Sequence, residues 1–253
     1  TNAQYTEFLN AADPTGANAN GIYDTKMGSD VRGGITYTAD AASGAKYTLR
    51  TNMGNKPVNF VSWFDAARMA NWMMNGQGSS STETGAYTLN GANSGIILAN
   101  AGAQVYIPTE DEWYKAAYYN AANQTYSLYP NGQDTISTGE ANYAISIGNT
   151  TNVGTYSAYP SPYGTFDQGG NVFEWNDAVV FGSSRGLRGG SWNNNAVHFD
   201  GSGGLISSNR SYTDPAGGST DFFTGFRLAA VPEPSALLLS MFAGGMMLIR
   251  RKR

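Results

Sequence analysis

Two stretches of this 253-residue chain strongly join the apolar period of a helix to a helix-start signal, and they constrain the fold more than anything else in it. In PVNFVSWFDAARMANWM, Ser62-x-x-Asp65 puts a side-chain acceptor at the N-cap and an acid three residues later, which predicts a helix from Trp63 to about Met74. In YIPTEDEWYKAAYY, Thr109-x-x-Glu112 is a full capping box, and Glu110 and Asp111 add negative charge at the same dipole end. That position explains the three acids better than a general acid/base pair does. Thr1 to Asn10 reads as a further short helix with Tyr5, Phe8 and Leu9 on one face.

Elsewhere the pattern breaks into short pieces. Gly34-Ile35-Thr36-Tyr37 and Lys46-Tyr47-Thr48-Leu49 alternate like hairpin strands, Asn90-Gly91 reads as a tight turn, and no long helix is expected in the body after Tyr126. The 32 glycines and 16 tyrosines, set against only 13% charged residues, favour short strands and hydrogen-bonded turns. At 41% hydrophobic the chain has enough apolar surface for a sizeable core, with Trp63, Trp72, Trp113 and Trp175 as its anchors. No motif repeats at a fixed period, so one compact domain over residues 1–230 accounts for the spread.

Charge and cysteine content exclude several functions. With Arg250, Arg251, Lys252, Arg253 and Glu233 set aside, the body keeps 11 basic against 18 acidic residues, a net −7. No basic stripe remains to neutralise phosphates, so nucleic acid is not an expected partner. There is no cysteine, hence no disulfide framework, zinc-thiolate site or thiol nucleophile.

Residues 231–253 form a separate unit. Val231-Pro232-Glu233-Pro234 precedes an apolar run from Ser235 to Ile249 and four basic residues. Fifteen helical residues reach about 22 Å, short of the ~30 Å hydrocarbon core, so the run needs snorkelling arginines or local thinning to span a membrane. The order Pro-Glu-Pro, apolar helix, arginine cluster resembles the PEP-CTERM sorting signal of Gram-negative bacteria. That resemblance implies export, anchoring in the inner membrane through 235–249 with the basic end cytoplasmic, and processing by an exosortase-type partner. The body is then delivered to the outer envelope, cell surface or extracellular matrix. The start Thr1-Asn2-Ala3, without methionine, suggests that a signal peptide precedes it or has been removed.

Five ordered segments carry a second resemblance: TNAQYTEFLN, PVNFVSWFDA, YIPTEDEWYKAA, GGNVFEW, and RGGSW with the closing GFRLA. Across residues 1–229 they are similar to the formylglycine-generating-enzyme (sulfatase-modifying factor) family. The resemblance implies an α+β, modified C-type-lectin-like fold with two main helices, short strands and much irregular backbone. It also implies two copper-binding cysteines after the Arg-Gly-Gly-Ser segment, but those positions read Asn194 and Phe199 here. Amide and phenyl groups are no ligands for a soft cuprous ion, so copper is not expected. Iron-dependent relatives need clustered histidines, whereas this chain has only His198, so iron is not expected either.

The family also implies structural calcium. Asp167, the carbonyls of Gly170 and Val172, and Glu174 match one calcium site, and oxygen ligands suit a hard cation. The other reading of Glu174, set between Phe173 and Trp175, is an ion pair with Arg188 or Arg227. A second calcium site would begin at Asn142 and Tyr143, although no acidic partner is evident before Val153. The family's substrate groove would be lined by Ser191, Trp192, Asn193, Asn194, Asn195, His198, Asn209 and Arg210, where an aromatic face beside amides suits a polysaccharide or protein ligand. Asn runs also serve as ordinary turns. The expected function is thus a calcium-stabilised, non-catalytic binding module of the envelope. The alternative is an enzyme of this superfamily with cysteine-independent chemistry.

Overall fold

A computed structural model describes residues 1–197, 204–216 and 221–231. Along the chain come α1 (Asn2–Ala12), α2 (Lys26–Ser29), β1 (Ile35–Tyr37), β2 (Tyr47–Leu49), α3 (Trp63–Met74), β3 (Val105–Tyr106) and α4 (Glu110–Tyr118). They are followed by β4 (Tyr119–Asn120), β5 (Thr125–Tyr126), β6 (Phe173–Val179), β7 (Arg185–Arg188), β8 (Ser211–Thr213), β9 (Thr224–Phe226) and β10 (Ala229–Ala230). The class is α+β with little regular structure.

Both capped helices form where their caps place them. In α3, Ser62 Oγ accepts the Asp65 N–H at 3.0 Å while Asp65 Oδ2 accepts the Ser62 N–H at 2.8 Å. In α4, Thr109 Oγ1 and Glu112 Oε2 exchange the equivalent pair at 3.2 and 2.9 Å. Four helices are present among the described residues: the two main ones expected, the short one expected over Thr1 to Asn10, and α2. The 11-residue α1 starts with its own capping box, Thr1 with Gln4. The four-residue α2 is too short to show any period.

The central sheet runs β8-β7-β6-β9. β6 pairs antiparallel with β7, Glu174 opposite Arg188, and parallel with β9, Glu174 opposite Gly225. The expected first hairpin is β1 with β2, and Asn90-Gly91 turns with both φ angles positive, 49° and 83°. All four anchor tryptophans are buried. Trp63 packs edge-on against Phe64 and Tyr87, and the Arg185 guanidinium stacks 3.9 Å from its ring. Truncating such a ring removes about 3–5 kcal/mol. Trp175 Nε1 donates to Val61 O at 3.0 Å, fastening β6 to the segment before α3.

The expected C-terminal apolar helix and its arginine cluster lie outside the described residues, among which no helix is long and apolar enough to cross a membrane.

Candidate functional site

Glu174 sits on β6 and is only 5% exposed. Alternate residues of a strand share a face, so Arg227 leaves β9 on the side of Gly225, the residue paired with Glu174. Its Nη2 donates to Glu174 Oε1 at 2.6 Å and its Nε to Oε2. Trp113 Nε1, from α4, also donates to Oε2, at 2.6 Å. Both carboxylate oxygens are therefore satisfied by protein. Of the two arginines considered as partners, Arg188 is occupied elsewhere: its Nη2 lies 2.6 Å from Glu110 Oε1. Desolvation works against the Arg227 cation, yet the Glu174 carboxylate holds its proton above the ordinary range.

Asp167 adjoins this pair in a left-handed conformation, φ 56°. Its Oδ2 accepts the Gly154 N–H at 2.6 Å. Burial raises its carboxyl above the ordinary value, while the Gly154 bond and Arg227 pull it back. Asp167, Glu174 and Arg227 share a cavity of about 670 Å³ whose apolar wall includes Val58, Met69, Met73 and Leu228. Val172 is buried, and Gly170 must be glycine, because a Cβ there would fall 2.2 Å from the Asn142 carbonyl oxygen.

That contact leads to a second polar cluster. Asn142 is 1% exposed and donates through Nδ2 to Asn149 O at 2.9 Å and to Asn171 Oδ1 at 3.2 Å. Its backbone oxygen accepts the Asn171 N–H at 2.8 Å. Asn171 Oδ1 also takes the Thr151 N–H at 2.9 Å. Two oxygens in this network, Asn142 Oδ1 and Thr151 Oγ1, are buried without a partner among the described residues. Leaving one such group unsatisfied costs about 1–3 kcal/mol. Tyr143 donates its hydroxyl to Ile136 O at 3.1 Å. Beyond it Ala144 and Ile145 are both left-handed, at φ 54° and 56°, a strained setting for an alanine and a β-branched residue. Their N–H groups are held by Asn194 O and Trp192 O, each at 2.8 Å.

The segment after Gly190 differs from the expected open groove. Ser191 and Trp192 are 1% and 5% exposed, and the Trp192 ring packs on Phe222 at 5.7 Å. Trp192 therefore belongs to the packed interior instead of offering a ring face. Asn194 Oδ1 accepts from the Ser191 N–H at 2.9 Å and from its hydroxyl at 2.6 Å, closing a local turn. Asn193 and Asn195 are exposed. Asn209 is half-buried, its backbone oxygen bound by Arg188. Arg210 is exposed and paired with Glu110. His198 and Phe199 lie outside the described residues.

Two features escaped the sequence reading. Glu110 is more than helix-end charge: it bridges Arg188 and Arg210. The relevant signal was the arginine that opens the RGGSW segment. The polar network around Asn142 was hidden because its members look like turn residues.

With this geometry, the comparisons with known proteins concern fold and family. The profile of the sulfatase-modifying factor enzyme 1-like domain matches residues 1–231. Among solved structures, Treponema denticola variable protein 1 is similar at 23% identity and a TM-score of 0.54, covering 73% of this chain and 75% of that one. CarF is similar at 25% identity and a TM-score of 0.51, covering 72% and 71%. No curated protein matches.

Proposed function

Because the chain belongs to the sulfatase-modifying factor enzyme 1-like domain family, we propose that it keeps this fold as a non-catalytic binding module without the family's thiol chemistry. The observation that carries the reading is the absence of cysteine; Asn194, where the family resemblance implies a copper-binding cysteine, has its amide oxygen engaged by Ser191. Thiolate ligands are what a cuprous site requires. The ligand is a polysaccharide or a protein, met by the exposed amides of Asn193 and Asn195 together with Arg210. Export and exosortase-type processing through residues 231–253 belong to the same reading and rest on the order of motifs in that tail.

Calcium is part of the proposal, at one of the two ligand sets. The Asn142 set fits a hard cation: it offers a buried amide oxygen and a buried hydroxyl without partners among the described residues. When bound, the ion supplies a cross-link among the loops bearing Asn142, Thr151 and Asn171. The Glu174 set does not fit as arranged, since Arg227 and Trp113 take both carboxylate oxygens.

Cysteine-independent catalysis is a second reading, favoured by Asp167, whose burial-raised carboxyl lines the large cavity. No nucleophile-base pair accompanies it among the described residues, so binding is preferred.

The test is a screen of the purified full chain on glycan and protein arrays, repeated with an Asn193→Ala/Asn195→Ala variant. A ligand whose signal drops at least fivefold in the variant is the expected result. Unchanged binding would remove this face from the reading, and no ligand on either array would remove the binding role.

A further inference from the structure

Four tyrosines form a row beside α4. Tyr119 and Tyr126 face each other across the β4–β5 hairpin, ring centroids 4.9 Å apart. Tyr126 also meets Tyr114 of α4 at 5.3 Å, and Tyr119 stacks on Tyr163 at 6.3 Å and an interplanar angle of 29°. The row thus reads Tyr114, Tyr126, Tyr119, Tyr163. Tyr126 and Tyr163 are about half exposed, at 51% and 48%. None of the four hydroxyls bonds to any described residue, so each is open to donate and accept.

The support beneath the row is fixed. Ser127 N–H donates to Tyr118 O at 3.0 Å, closing the hairpin onto the end of α4. Thr165, beside the Tyr163 turn, donates through its hydroxyl to Ala116 O at 3.3 Å, tying that turn to the same helix. Rings locked against one another lose little freedom when a ligand arrives. The Tyr114 end continues into a polar cluster, with the Arg188 guanidinium 5.2 Å from its ring centroid and Glu110 bridging Arg188 to Arg210.

We propose that this row, with Arg210 at its end, binds a neutral polysaccharide. The apolar C–H faces of sugar rings match phenol faces, and their hydroxyls match the free phenolic O–H groups and Arg210. Charge chooses the class. The three cations beside the row, Lys115 over Tyr119, Arg188 over Tyr114 and Arg210, face three acids in the first turn of α4, Glu110, Asp111 and Glu112, so the surface carries no excess of positive charge. An acidic polymer or a nucleic acid strand needs a basic track that this surface and a body of net −7 do not offer. A protein partner needs a pocket for a buried anchor, whereas rings packed on one another at 4.9–6.3 Å fill the space between them. The inference rests on the binding-module reading and gives it a ligand class and a second, adjoining face.

The test is affinity electrophoresis of the full chain in gels containing hydroxyethylcellulose, galactomannan or soluble starch, with alginate and oligo(dT) as charged comparisons. At least one neutral polymer should retard migration. A Tyr126→Ala/Tyr163→Ala variant of unchanged melting temperature should weaken that affinity at least tenfold, and the Tyr126→Phe/Tyr163→Phe pair about threefold, since rings stay but hydroxyls go. Retardation by charged polymers alone, by none of the neutral ones, or equally in the alanine pair would overturn the proposal. Loss only with Asn193→Ala/Asn195→Ala would overturn the tyrosine strip and leave the first face standing. A protein ligand found on the arrays with no neutral-polymer retardation would do the same.

Discussion

Glu174 and Asn142 are both buried and both belong to ligand sets that the family resemblance offers for calcium, yet the protein treats them in opposite ways. Glu174 receives two bonds from Arg227 and one from Trp113, so its charge is neutralised in place. Asn142 spends both amide hydrogens on neighbouring oxygens, while its own side-chain oxygen has no partner among the described residues. A satisfied carboxylate is a structural tie, whereas a buried oxygen without a donor is where the proposed calcium would add most.

The largest expected effect breaks the first half of this comparison. Arg227→Ala strands a buried carboxylate and should destabilise the fold by about 3–5 kcal/mol, read as a lowered denaturation midpoint at unchanged slope. A loss under 1 kcal/mol would mean that Glu174 is held by something else. Next comes the calcium response. Chelator should lower the melting temperature of the native chain and of Glu174→Gln, but not of Asn142→Ala, which should itself be weaker by about 1–3 kcal/mol. The reverse pattern, with the response lost in Glu174→Gln, would return the ion to the carboxylate.

The smallest effect concerns Asp167, which borders the Glu174 pair through Arg227. Its folded pKa is raised above the ordinary 3.8, so the native state binds the proton more tightly than the unfolded chain. Stability from this group is therefore full below the unfolded value and declines as pH rises through the folded one. Asp167→Asn should flatten the acid-side slope of denaturation midpoint against pH. An unaltered slope would assign that pH dependence to other buried acids, such as Asp65, which burial pushes up to about 6.

Much of the architecture was legible because local chemistry decides it. Capping boxes fixed α3 and α4, alternation fixed β1 and β2, and tryptophans marked the core. The site was only partly legible. Glu174 invited a partner by lying between aromatic residues, and the sequence reduced the choice to two arginines without choosing. That choice depends on a parallel β6–β9 register that joins residues about fifty positions apart. Trp192 misled for a related reason: an aromatic beside Asn193, Asn194 and Asn195 looks exposed until Phe222, distant in sequence, covers it. The Asn142 network stayed hidden because whether an asparagine oxygen has a donor is settled by loops brought together from three places.

The claim on which the account turns is that the fold has outlived its thiol chemistry. Incubating the purified full chain with copper, oxygen and a cysteine-bearing sulfatase-derived peptide, then measuring peptide aldehyde by mass spectrometry, tests this most directly. The account predicts no aldehyde above the protein-free control. Catalytic turnover of the peptide would contradict it.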